Sequence, residues 1–477
     1  MEYEAVIGME VHVEINTLSK AFCSCSTNFH AEPNTQVCPI CLGMPGVLPV
    51  LNKEFVDKAI MVGLALNCEI ASWSKMDRKN YFYPDLPKNY QISQYDLPLC
   101  RDGYLDIEVN GEPKRVRILR AHIEEDTARN THGLGGGYSG IDFNRSGVPL
   151  LEIVTYPDLH SSEEVFVFLS ELKLLLEYLG VSDCNMEEGS LRAEANVSVR
   201  KKGTSELGVK TEIKNVASFS GVVKAIDYEV RRQIEVIESG GVVVQETRGW
   251  DPDRGITFSQ RHKESAHDYR YFPEPDLVPI VVTEDWKARI LSEMPELPQA
   301  RRKRFQTQYG LSEYDSRVLT STRAMADYYE EVVRCGADPK QASNWVQVEL
   351  QSVLAYENIS IEKSPVKPGD LAELINLVRE NIISGKIGKE VLRKMFASKK
   401  KASEIIKEEG LVQISDDSYI RNVVKEVLQT NSAQVEEYKK GKTKVYGFFV
   451  GQIMQKTQGK ANPKMVNDIL KEELEKL

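Results

Sequence analysis

Four cysteines stand close together near the start of the chain: Cys23-Ser-Cys25, twelve residues, then Cys38-Pro-Ile-Cys41. Two close thiol pairs joined by a short loop can surround one tetrahedral Zn²⁺. Paired disulfides, or thiols with no common role, are the alternatives that spacing leaves open. A set made only of cysteine leaves no coordination position for a substrate, so a metal here would fix a loop and perform no chemistry.

A second constellation lies on strand-like segments. Glu10 and His12 are two residues apart in an alternating stretch, so both project from one strand face at a Cα separation of roughly 6–7 Å. Glu152 interrupts the otherwise apolar run Val148–Tyr156, where a lone carboxylate is costly unless paired or bound to a metal. His122-Ile-Glu-Glu-Asp126 adds more acid. Carboxylates with an imidazole suit Mg²⁺ or Mn²⁺ better than Zn²⁺. A solvated, charged sheet face would give the same pattern. Lys79-Asn-Tyr-Phe-Tyr-Pro-Asp-Leu-Pro-Lys-Asn-Tyr90 alternates aromatic rings with lysine and asparagine around Pro84 and Pro87. Such a stiff loop can stack a base and bind phosphates, or simply brace the surface. Arg192, Glu194, Glu212 and Lys214 share the polar face of a hairpin, as cross-strand pairs or as a clamp for a triphosphate and its metal.

The elements that must position these groups follow from periodicity. Tyr3–Ile15 alternates apolar with Glu2, Glu4, Glu10, His12 and Glu14. Leu191–Arg200 alternates likewise, and Gly203 and Gly208 lead it into Val209–Ile213. Helices are expected from the Ser161-x-x-Glu164 capping box to Gly180, and from Ser218 to Gly240-Gly241. Beyond Met294–Pro298 the pattern turns helical, near 316–335, 339–356, 369–384, 389–396, 418–429, 432–439, 444–457 and 463–474. The expectation is an α+β chain: a β-rich domain at 1–293 with an embedded zinc loop, a helical domain at 294–400 and a helical tail domain at 401–477, with Lys399–Lys401 as a hinge.

The net charge of −10 argues against a uniformly basic nucleic-acid binder, but its distribution is uneven. From Ser398 onward there are 15 basic and 12 acidic residues, a net of +3 on a body that carries −13. That suits a protein meeting a polyanion with one end. No leader or membrane span is expected, and scattered Cys68, Cys100, Cys184 and Cys335 fit a reducing cytoplasm. Gly135-Gly-Gly-Tyr-Ser-Gly140 matches G-x-G-x-x-G but opens no helix, so it reads as a loop. There is no Walker A motif and no G-x-S-x-G elbow.

Together these segments resemble the GatB family, the B subunits of the tRNA-dependent amidotransferases (GatCAB complexes). The likeness rests on Gly8-Met-Glu-Val-His-Val-Glu14, the four cysteines, Tyr81–Tyr90, His122–Asp126, Asp142–Val154, Arg192-Ala-Glu-Ala-Asn196 and Lys210–Asn215. The resemblance implies a carbon–nitrogen ligase that takes its amido nitrogen from glutamine. The side-chain carboxylate of Glu-tRNA(Gln) or Asp-tRNA(Asn) is phosphorylated by ATP, then amidated by ammonia from a glutaminase partner, GatA, with GatC as third subunit. It further implies Glu10, His12, Glu125 and Glu152 as Mg²⁺ ligands. Lys79, Lys88, Asn89, Arg192, Glu194, Glu212 and Lys214 would serve ATP binding and phosphoryl transfer, with Glu10, Glu125, Lys79, Arg192, Glu194 and Lys214 catalytic. The competing functions are a non-catalytic zinc-containing tRNA adaptor and a metal-dependent phosphohydrolase.

Overall fold

The computed structural model describes residues 2–131, 137–262, 269–412 and 416–476. Most of the G-x-G-x-x-G match is described, but Gly135 and Gly136 lie outside these residues. The chain forms two compact units that meet in sequence at Leu297 and Pro298.

In the first unit, β1 (Tyr3–Glu14) and α1 (Lys53–Ala65) precede β2 (Glu69–Ile70), β3 (Trp73–Ser74), β4 (Asp77–Asn80) and β5 (Tyr90–Ser93). Next come β6 (Cys100–Val109), β7 (Glu112–Glu125), β8 (Arg129–Thr131), β9 (Gly140–Asp142) and β10 (Pro149–Thr155). Then follow α2 (Ser162–Leu179), β11 (Leu191–Lys201), β12 (Thr211–Lys214) and α3 (Phe219–Glu238). The unit closes with β13 (Glu246–Asp251), β14 (Ile256–His262), β15 (Phe272–Pro273), β16 (Ile280–Val281) and α4 (Glu284–Glu293). Nine strands make one sheet in the order β14-β13-β12-β11-β1-β10-β7-β6-β2. All its neighbours are antiparallel except β12 and β13.

Period-two alternation divides this sheet into two chemical faces. Ile7, Met9, Val11 and Val13 of β1 join Leu151, Ile153, Ala121, Ile123, Leu191, Ala193 and Ala195 in one apolar core. Helices α1, α2 and α3 pack on its strands. Their ends obey the capping signals: Ser161 Oγ accepts from Glu164 N at 3.1 Å, and Gly180 ends α2 at φ +67°. Glycine is suited there because left-handed backbone crowds a Cβ. The other face of the sheet carries the even-numbered, charged residues of β1.

The second unit is helical, with two separate apolar cores. The first spans Phe305 to Ile406 and the second Ile420 to Leu474. The stretch expected as one helix at 339–356 runs as an α-helix over Pro339–Asn344, a π-helical turn over Trp345–Leu350 and an α-helix over Gln351–Glu357. Lys399–Lys401 separates two helices but is not the break between cores. Ala402, Ile405 and Ile406, just past it, pack into the first one. Among the described residues no helix is long and apolar enough to cross a membrane.

Within the first helical core, Glu330 gathers Arg301, Arg304 and the Tyr309 hydroxyl at 2.5–3.0 Å. Burial works against its charge, but the two guanidinium groups prevail and hold its carboxyl down to about 2. A depressed folded-state pKa contributes stability above the unfolded value of about 4.5, lost as pH falls towards 2. We expect Glu330→Gln to cost on the order of 1–3 kcal/mol at pH 7, with the gap to wild type closing as pH falls from about 4.5 to about 2 in chemical denaturation. A gap independent of pH would contradict this account of the Glu330 pairs.

Candidate active site

Register brings the charged face together. On β1, Glu10, His12 and Glu14 point the same way. Opposite His12 stand Glu152 on β10 and Arg192 on β11, and opposite Glu10 stands Glu194. One strand further out, His122 of β7 faces Glu152, and Glu212 of β12 faces Asn196.

The side chains resolve into two carboxylate groups whose ligand atoms lie within 4.8 Å of one another. One is His12, Glu124 and Glu152; the other is Glu10, Glu194 and Glu212. In the first, His12 Nε2 lies 3.6 Å from Glu152 and 3.8 Å from Glu124, and His122 Nε2 lies 3.2 Å from Glu152. In the second, Lys214 Nζ is 2.6 Å from Glu194 and 3.6 Å from Glu212. Asn196 Nδ2 donates to Glu10 at 2.7 Å, and Thr247 Oγ1 donates to Glu212 at 3.0 Å.

Five carboxylates thus share the face with Lys79, Lys214, Arg192 and two imidazoles. Burial opposes several of these charges, and neighbouring groups decide the outcome. It opposes ionisation of Glu152, yet His122 and His12 hold that carboxyl well below the usual range. It would lower His12, but Glu152 outweighs it and raises the imidazole to about 8. Lys79, from the small sheet of β4, β5 and β15, is likewise held above its usual range against burial by Glu124, Tyr271 and Glu152. Its ammonium lies 5.1 Å from the Tyr269 ring. Beside them, burial and Asp126 push Glu14 up to about 8. Asp126 itself stays low against burial, because Arg192 grips it at 2.8 and 3.2 Å. An acid-rich, buried face of this kind has room for added positive charge, and carboxylate oxygens with one imidazole fit a hard divalent cation. The Nδ1 atoms of His12 and His122 are buried without a hydrogen-bond partner among the described residues.

The four residues expected as one Mg²⁺ set do not converge. His12 and Glu152 meet, Glu10 belongs to the neighbouring group, and Glu125 is elsewhere. Its carboxylate takes Lys88 and the Ile92 N–H, at 2.9 Å for the latter. Glu125 has the wrong parity: on a strand His122, Glu124 and Asp126 share a face, and Glu125 points away. Applying the two-residue rule of Glu10 and His12 to His122–Asp126 would have picked Glu124. Asn89 is exposed, in a turn at φ +63°. Lys79, Arg192, Glu194, Glu212 and Lys214 all reach the charged face. Asn196 and Thr247, which orient two of the carboxylates, were not anticipated.

Cys23, Cys25, Cys38 and Cys41 also converge, with sulfurs within 4.8 Å of one another. The Cys38 and Cys41 sulfurs are 3.9 Å apart, near the ~3.8 Å edge of a tetrahedron with Zn–S of 2.3 Å. All four are free thiols, so the cluster fits zinc and contains no disulfide.

The sequence matches known families. A family model described as "GatB/GatE catalytic domain" matches residues 5–288, and one described as "GatB domain" matches 327–474. The chain belongs to the GatB family. One relative, from Caldicellulosiruptor saccharolyticus, is named as the B subunit of an aspartyl/glutamyl-tRNA(Asn/Gln) amidotransferase and is 58% identical over the full length of both chains. The protein of the same name from Caldanaerobacter subterraneus is 56% identical, again over all of both chains. For Thermodesulfovibrio yellowstonii the identity is 55%, covering 98% of this chain and 99% of the relative. The chain is thus a component of a ligase family whose chemistry implies ATP use, and the adaptor and phosphohydrolase readings lose their support.

His12 gives the site a pH signature. Its raised pKa means that its pairing with Glu152 stabilises the fold fully below pH 6.5 and is lost as pH rises through about 8. In metal-free protein, NMR of the His12 ring should show a midpoint near 8. A midpoint at or below 6.5 would contradict the pairing.

Proposed function

We propose that this chain activates the side-chain carboxylate of Glu-tRNA(Gln), Asp-tRNA(Asn) or both, within a complex that includes a GatA-type glutaminase and a small GatC-type protein. The names of its relatives support the tRNA substrates. The observation that carries the site is the pair of carboxylate groups flanked by Lys79, Arg192 and Lys214 on one sheet face. The substrate carboxylate itself attacks the γ-phosphorus of ATP, and ADP leaves. Ammonia then attacks the acyl carbon and phosphate departs. No protein nucleophile is needed, which agrees with the lack of a nucleophile motif.

In this reading Glu10, Glu194 and Glu212, with His12, Glu124 and Glu152, hold Mg²⁺, which when bound supplies charge neutralisation for the triphosphate. Lys79 and Lys214 meet the anionic oxygens of ATP, and Arg192 orients the substrate carboxylate or the transferring phosphoryl group. Asn196 and Thr247 keep Glu10 and Glu212 aimed. Glu125, at the end of β7, and Lys88 and Asn89, from the adjoining loop, support the wall of the site. The four cysteines bind structural Zn²⁺. The free thiols fit a cytoplasmic setting.

The test is γ-phosphoryl transfer from ATP in the reconstituted complex, with and without misacylated tRNA. Glu10→Gln and Glu212→Gln should each lower tRNA-dependent ATP consumption by roughly 10²-fold or more, the scale of losing a preorganised electrostatic group, while tRNA affinity is kept. An adaptor would consume no ATP, and a phosphohydrolase would ignore the tRNA. Either behaviour in the wild-type complex would overturn the reading.

The tail makes a separate claim. Lys439, Lys440, Lys442 and Lys444 are exposed around the turn between the helices Ser432–Lys439 and Val445–Lys456. With Lys456, Lys460 and Lys464 they would neutralise tRNA phosphates. Replacing the first four by glutamine should weaken tRNA binding and flatten its dependence on salt, by up to about 0.9 in log–log slope for each phosphate no longer neutralised, with ATP binding intact. An unchanged salt slope would remove the tail from tRNA binding.

A further inference from the structure

Lys20 is a lysine with no solvent exposure. An ammonium taken out of water is costly unless all its protons find acceptors and its charge finds a counter-charge. The protons are met by three acceptors: the Gln36 carbonyl at 2.9 Å, the Phe143 carbonyl at 3.1 Å and Cys41 Sγ at 3.6 Å. Of these, only the cysteine sulfur can be an anion. The surrounding backbone is equally committed. Lys20 N donates to Cys25 O at 2.9 Å, Ala21 N to Gly147 O at 2.8 Å, and Ser146 Oγ to Cys41 O at 3.2 Å. Gly147, at φ +86°, lies where an added Cβ would be 3.5 Å from both the Cys41 Cβ and the Lys20 Cδ.

Four thiolates around one divalent cation carry a net double negative charge. In a partly buried site that charge weakens metal retention unless hydrogen bonds and a cation oppose it. The Cys38 N–H, 3.2 Å from Cys41 Sγ, supplies a dipole, and Lys20 is placed to supply a full charge. We propose that Lys20 is the built-in counter-charge of the four-cysteine zinc site. It also ties the zinc loop to the segment 143–147 that leads into the strand of Glu152. This rests on the zinc reading of the cysteines. It makes Lys20 a positioning residue that acts through Cys41 and has no part in phosphoryl transfer.

The experiment compares full-length wild type with Lys20→Met and Lys20→Arg. It measures zinc content, the rate of zinc transfer to a chromogenic chelator, and the sulfur-to-metal charge-transfer band of the Co²⁺-substituted proteins. Wild type should hold one zinc per chain. Lys20→Met should release it at least about tenfold faster, the lower end of the range for lost outer-shell partners, and should shift the Co²⁺ band. Lys20→Arg should retain zinc and stay nearer the wild-type band. Equal release rates and identical bands in wild type and Lys20→Met would overturn the proposal while leaving the zinc reading intact. Wild type without zinc and without a thiolate band would overturn both. If Lys20→Met does not accumulate as folded protein, Lys20→Gln replaces it: faster release than Lys20→Arg supports the charge, and equal release in the two contradicts it.

Discussion

The first unit is governed by one constraint, the two-residue alternation of an antiparallel sheet with a single apolar face. Helices α1 to α3 cover the side lined by Ile7, Met9, Val11 and Val13. Every residue between them must then point the other way, where five neighbouring strands bring Glu10, His12, Glu124, Glu152, Arg192, Glu194, Glu212 and Lys214 into register. A one-residue slip of any central strand would bury these charges in hydrocarbon and expose the core. The same packing that stabilises the fold therefore fixes the charged face.

That face is rich in acid because of its register. Pairwise contacts such as Lys214 with Glu194 and His122 with Glu152 offset part of the cost of burial. What remains is a surface suited to polyvalent cations and to the phosphates they accompany. Lys79, which lies against the rings of Tyr81 and Tyr269, adds a cation at the border of the face. The zinc loop lies in the same unit, joined through Gly147 and Ser146 to the start of β10. Lys20 sits where this loop and the 143–147 segment meet, bonded to Cys41 Sγ and to the Phe143 carbonyl.

Much of this is legible in the sequence because it depends on short-range periodicity. Alternation in Tyr3–Ile15 and Leu191–Arg200, the caps at Ser161 and Ser218 and the cysteine spacing are local signals, and the structure forms the corresponding elements. Local signals stop short of strand parity and strand order. Glu124 and Glu125 look alike as adjacent acids until parity is counted, and it is Glu124 that lies with His12 and Glu152. The grouping of Glu10 with Glu194 and Glu212 depends on which strands are neighbours, and strand order is a long-range property. Lys399–Lys401 suggests a hinge, yet burial of Ile405 and Ile406 decides where the core ends. Lys20 gives no signal, since only the fold shows that it is buried.

The central claim is that one sheet face holds both the cations and the triphosphate. Anomalous diffraction from crystals of the complex grown with Mn²⁺ and a non-hydrolysable ATP analogue tests it most directly. The account predicts anomalous peaks at His12–Glu124–Glu152, at Glu10–Glu194–Glu212 or at both, with the phosphates lying against Lys79 and Lys214. Nucleotide bound away from this face, with no manganese on either carboxylate group, would contradict it.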